Sequence, residues 1–246
     1  MRDLVCRGNW RRAAALLGTV FVASAFSTEN DSPYEQPRHL AAQALASQGE
    51  VRSRCLPALA MRDTTCSVKE FGRVGAVEGH EFYYARYDYH DVKPEPHDIP
   101  YPRVVIFENM SSGKLRPILI SGDDPEFEYR TPAVLEAGGR IVLHVPAGES
   151  GTGNFNHELV YVWAQDGWHD ADVTSWLRDL ARRLPKGLAV WKGVYPDYVK
   201  MKAETPLWRE KTDGNCCPTG GSAAIELQWQ GARLAVRSVR IEKDRE

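Results

Sequence analysis

The chain has 246 residues, 43% hydrophobic and 26% charged, with 31 basic and 33 acidic side chains and a net charge of −2. That balance leaves no basic footprint for phosphates, which sets nucleic-acid binding aside, and no polybasic patch for a membrane surface. No apolar run approaches the roughly 20 residues that span a bilayer.

Arg2, Arg7, Arg11 and Arg12 precede an apolar run from Ala13 to Val22, which leads into Ala23-Ser24-Ala25-Phe26. A charged segment, a short apolar segment and a small-residue A-x-A site form the layout of a secretory signal peptide. Residues 1–25 are therefore expected to be removed on export, with no stable membrane insertion afterwards. Removal leaves 27 basic and 32 acidic residues, a net charge of −5. Residues 26–54 read as a poorly ordered leader, polar at Ser27–Pro33 and Ala-rich near His39–Ala46. Residues 55–246 are long enough for a single globular domain.

From Glu81 the pattern has period two. In Glu81–His90, Tyr83, Ala85, Tyr87 and Tyr89 share one face, and Arg86, Asp88 and His90 share the other. Prolines 94, 96, 100 and 102 make Asp91–Pro102 a loop. Strands are then predicted over 103–109, 115–121, 127–135, 139–145, 157–164 and 168–172. Asp166-Gly167 forms a two-residue hairpin turn. Thr174 is placed as the N-cap of an amphipathic helix over about 174–184, with Trp176, Leu177, Leu180, Ala181 and Leu184 at helical spacing. Further strands are predicted over 188–194 and 198–203, with a terminal hairpin, 223–229 and 233–241, turning at Gln230-Gly231. The fold class is mainly β: an antiparallel meander or sandwich-like domain with one amphipathic helix. No repeat period marks a propeller.

Four cysteines follow the signal segment: Cys55, Cys66, Cys216 and Cys217. An even count in an exported chain implies disulfides. Three pairings are open. One joins Cys55 to Cys66 and Cys216 to Cys217; the other two cross-link the segments over about 150 residues, which the chain-entropy account values at about 4–5 kcal/mol.

No assembled catalytic motif emerges, so catalytic residues stay unassigned. Gly148-Glu149-Ser150-Gly151-Thr152 lacks the final glycine of a nucleophile elbow, and no P-loop is present. No metal-ligand spacing and no cofactor fingerprint appear, so no metal and no cofactor are expected. The binding candidates are Tyr83, Tyr87 and Tyr89 as an exposed aromatic strip, His90 and His97 around the proline-rich loop, and Tyr195 in a turn.

These features predict an exported bacterial envelope protein, periplasmic or secreted. It would act as a non-enzymatic binding module for an envelope or extracellular ligand. Two other readings compete. One is a secreted hydrolase with its site in the 91–102 and 146–156 loops, using His90, His97, Asp91 or Asp98. The other is a thiol-redox or metal-handling protein built on Cys216 and Cys217.

Overall fold

A computed structural model describes residues 37–40, 45–93, 96, 99–149 and 155–242. The expected signal segment, His97 and Asp98 lie outside them. In chain order the strands are β1 (Arg38–His39), β2 (Thr64–Val77), β3 (His80–Asp91), β4 (Tyr101–Asn109), β5 (Leu115–Ile120), β6 (Phe127–Tyr129), β7 (Ala133–Ala137), β8 (Arg140–Val145), β9 (Ala147–Glu149), β10 (Leu159–Ala164), β11 (Gly167–Asp170), β12 (Leu188–Ala189), β13 (Lys202–Pro206), β14 (Trp208–Arg209), β15 (Ser222–Gln230) and β16 (Arg233–Glu242). The helices are α1 (Gln48–Ser53) and α2 (Ser175–Arg183). The mainly β, antiparallel class is as expected.

Three sheets carry the fold: β1-β5-β4-β3-β2, then β11-β10-β8-β7, then β13-β15-β16. The second sheet lies between the other layers. Its Leu143, Val145, Tyr161 and Trp168 pack with Phe82, Tyr84, Val104 and Ile106 of the first sheet. Its Val142 and Val160 face the opposite way, into a core of Trp176, Leu180, Ile225, Leu227 and Val236. Alternation in β8 and β10 thus feeds two cores, because successive strand side chains point to opposite faces. The same logic explains Val104-Val105-Ile106-Phe107 in β4, all fully buried. Even positions meet the second sheet, and odd positions meet a third core on the outer face.

That outer face is covered by residues 45–54, part of the segment expected to be a loose leader. Ser47 and Glu50 form a reciprocal capping box, and Val51 of α1 is completely buried. Ala46 exchanges backbone hydrogen bonds with Leu115 at 3.1 and 2.7 Å. The ordered body therefore reaches back past Cys55. The disulfide Cys55–Cys66 (Cα–Cα 6.1 Å) ties the chain just after α1 to β2.

Several local expectations shift. β2 escaped the sequence reading because it is polar, sits at a sheet edge and carries two bulges, between Val68 and Glu70 and between Arg73 and Gly75. Gly75 is required there: a Cβ would come within 2.8 Å of Val134 Cβ, where β2 abuts β7. The β10–β11 turn is Gln165-Asp166, since Ala164 pairs with Gly167; the last turn is Gly231-Ala232, since Gln230 pairs with Arg233. Thr174 does not cap α2 with its side chain. The Asp172 carboxylate does, accepting from the Ser175 and Thr174 amides at 2.9 and 3.2 Å. The strand expected over 188–194 shrinks to β12. The Asn156 side chain instead clasps the Val194 backbone, donating to its carbonyl and accepting from its amide, each at 2.7 Å.

Replacing both Cys55 and Cys66 with Ser should lower unfolding stability by about 3 kcal/mol, the chain-entropy value for a closed loop of this size. Urea unfolding of the oxidised wild type and the double variant measures it.

Candidate functional site

The expected aromatic strip is not a surface. Tyr87 and Tyr89 are fully buried. Their rings meet edge to face at 6.4 Å, and the Tyr89 hydroxyl donates to the Leu59 carbonyl at 2.8 Å. The shared face was read correctly from alternation. Its cover, supplied by α1 and the 3-10 turn Pro57–Leu59, was not. Burial pushes the Tyr89 hydroxyl up to about 12.

His90 is exposed at the far end of β3, opposite Thr65. Tyr195 is 42% exposed and donates to the Phe155 carbonyl at 3.2 Å. Within the expected 146–156 loop, Ala147–Glu149 forms β9 and pairs with β6. His157 stacks on Phe127 at 3.9 Å and lies 4.0 Å from Glu149. Beside it Glu158, with its side chain 4% exposed, meets His144 Nε2 at 2.9 Å through one oxygen. Its other oxygen accepts from the Tyr198 hydroxyl, also at 2.9 Å. Both Glu158 oxygens are thereby committed within the core. His90 and Tyr195 belong to separate regions, one on the first sheet and one beside Phe155.

The arrangement best suited to a ligand lies where the first two sheets part. Phe82, Glu108 and Arg116 sit side by side across β3, β4 and β5. Opposite them is the β10–β11 hairpin, where Trp163 and Trp168 are directly paired and so share a face. Between lies a cleft of about 300 Å³, bounded also by His39, His80, Gln165 and Asp166. Phe82 and Trp168 form its buried floor. His80, half-exposed, and Trp163, part-buried, form its accessible aromatic wall. The ring centroids of Phe82, Trp163 and Trp168 are 5.1–5.8 Å apart and mutually edge-on.

The polar groups are fixed by one another. Glu108 accepts from His80 Nδ1 at 2.6 Å and from Arg116. Burial pushes the Glu108 carboxyl up, but those two hydrogen bonds outweigh it, and the net shift is downward. Asp166 is likewise lowered, by its hydrogen bond with His169 at 2.6 Å. Trp163 Nε1 donates to Glu78 at 3.0 Å. Trp168 Nε1 is buried and finds no hydrogen-bond partner among the described residues.

Of the residues shaping this cleft, none stood among the sequence candidates. Positions 80, 82, 108, 116, 163 and 168 have no motif spacing. One signal was available: Trp163 and Trp168 flank a tight turn symmetrically, which places both on one face.

A larger hollow of about 530 Å³ is lined by Arg38, Arg62, Arg103 and Asp123, among others. Arg103 is already engaged there, 2.7 Å from Asp123 and over the Tyr89 ring. Among the described residues, no group of three or more His, Cys, Asp or Glu is placed to hold a metal ion. The same residues contain no helix long and apolar enough to cross a membrane. The chain matches no family model, no curated protein and no solved structure.

Because the folded Glu108 titrates below its unfolded value, its contribution to stability is complete above the ordinary glutamate pKa of about 4.3 and is lost as pH falls through the folded value. Glu108→Gln should therefore flatten the acid limb of the stability curve below about pH 4.5. Unfolding series on wild type and variant between pH 3 and 7 give the comparison; identical acid limbs would contradict the assignment.

Proposed function

We propose that this protein is an exported bacterial envelope protein, a non-enzymatic binding module whose cleft takes a small neutral ring with one apolar face, a sugar unit. The observation that carries the reading is the joining of an aromatic wall, His80 and Trp163, to a rim of fixed polar groups in one cleft. A pyranose presents C–H groups on one face and hydroxyls around its edge. The negative face of an aromatic ring suits the first. The exposed Asp166 carboxylate as acceptor, and Arg116 and Gln165 as donors, suit the second.

Two other ligand chemistries fit less well. An aromatic cage for a quaternary ammonium needs ring faces spread around the cation, whereas these rings already touch one another. An anionic ligand would meet Arg116 already neutralised by Glu108. Export is supported by the basic-apolar-small layout of residues 1–25 and by the two disulfides.

The hydrolase reading gains nothing from this cleft. Hydrolysis by paired carboxyl groups needs one of them protonated, and both Glu108 and Asp166 are held toward the ionised form.

Screening the processed protein on immobilised neutral glycans, followed by calorimetry with the best hit, tests the proposal. Trp163→Ala should weaken binding at least about tenfold, or about 1.4 kcal/mol. His80→Ala, at an exposed position, should weaken it while leaving the melting temperature within about 3 °C of wild type. Absence of any neutral-glycan binding, or unchanged affinity in both variants, would sink the reading.

A further inference from the structure

The two disulfides close very different loops. Cys55 and Cys66 are 11 residues apart, and both are part-buried against the outer core. Cys216 and Cys217 are neighbours, with Cα atoms 3.8 Å apart, and both are exposed. Stabilisation by a cross-link grows with the loop it closes, because the bond acts by restricting the unfolded chain. A bond between adjacent residues constrains only the peptide between them and leaves the rest of the unfolded chain unrestricted.

Nor does the surrounding turn depend on it. The Asp213 carboxylate accepts from the amides of Arg209 and Thr219 and from the Thr219 hydroxyl, each at 2.7 Å. Arg209 Nε donates to the Thr219 carbonyl at 3.1 Å, and Trp208 Nε1 donates to the Gly214 carbonyl at 3.2 Å. The amide of Gly220 donates to the Leu207 carbonyl at 2.8 Å. Together these bonds join the two ends of the 208–220 segment without using either sulfur. The turn has a frame of its own, and the Cys216–Cys217 bond is mounted on it in reach of solvent.

We infer that Cys216–Cys217 is a reversible thiol–disulfide exchange site whose co-reactant is a dithiol in the exported compartment. A donor thiolate attacks one of the two sulfurs. The Cys216–Cys217 bond breaks, and its electron pair leaves on the other sulfur, which takes up a proton. The donor's second thiolate then attacks the mixed disulfide and releases the first cysteine, which is protonated in turn. The donor departs as a disulfide, oxidised by two electrons. Cys216 and Cys217 are left as two thiols carrying those electrons and two protons. This site is independent of the cleft between the sheets.

The test is a redox titration of the processed, oxidised protein. Samples are equilibrated over a range of reduced to oxidised dithiothreitol, quenched in acid, alkylated and mapped by peptide mass. Cys216 and Cys217 should become alkylated together at ratios where Cys55 and Cys66 remain bonded, and returning the sample to oxidised dithiothreitol should abolish the labelling. The Cys216→Ser/Cys217→Ser double variant should melt within about 2 °C of wild type. The inference fails if the pair opens only when the protein unfolds, or at the same ratio as Cys55–Cys66. It also fails if the double variant loses as much melting temperature as Cys55→Ser/Cys66→Ser.

Discussion

The constraint on which the structure depends is that the second sheet is buried on both faces. In β8, Leu143 and Val145 face the first sheet while Val142 faces the layer of α2 and the third sheet. In β10, Tyr161 and Val160 divide in the same way. A one-residue slip of either strand would exchange the two sets. It would drive Tyr161 into a core shaped for Val160 and move the His144–Glu158 pair toward an apolar layer. Both outer layers are therefore built on one register. Close approach at Gly75 and Val134 adds a contact between the edges of the first two sheets.

The cleft follows from the same layering. Over most of their area the first two sheets are filled by Phe82, Tyr84, Ile106, Leu143 and Tyr161. Near the end of the β10–β11 hairpin the row Phe82–Glu108–Arg116 turns from apolar to charged. Buried charges need partners, and Glu108 obtains two, from His80 and Arg116. These three groups stand on paired strands, so their positions are set by the ladders rather than by a loop. Groups placed on rigid elements and locked by their own hydrogen bonds hold fixed positions.

Much of the layering was legible in the sequence. The period-two pattern at Glu81–His90 and the apolar segments 139–145 and 157–164 located strands that exist, and the stripe Trp176-Leu177-Leu180-Leu184 located α2. Alternation identifies which residues share a face but is silent on what covers that face. Tyr87 and Tyr89 looked accessible for this reason, since nothing in their own strand reveals that Val51 and Leu59 lie over them. The helix that buries them has six residues, too few to show a period. β2 was invisible for a different reason. Its outer positions, Lys69 and Arg73 among them, are exposed, and its bulges break the alternation. The cleft was least legible, because His80, Glu108, Arg116 and Trp163 come from four strands and meet only through pairing.

The interior polar groups show how an arrangement that resembles chemistry serves the fold instead. Glu158, His144 and Tyr198 would pass for a catalytic set by residue type alone. Yet the carboxylate spends one oxygen on each neighbour, and burial together with the adjacent Glu158 charge raises the Tyr198 hydroxyl well above its ordinary value. That hydroxyl donates to Glu158 Oε1. Two residues away, Asn156 clasps Val194 with both ends of its amide. These bonds stitch the segment around Val194 and Tyr198 onto the second sheet, where the chain has too little strand of its own to do so. The polar groups spanning β3, β4 and β5 differ in kind. Glu108 is part-buried at the edge of the cleft, with one oxygen on His80 and the other on Arg116, while Arg116 is one-third exposed and His80 half-exposed. Exposure, rather than residue type, separates the two groups.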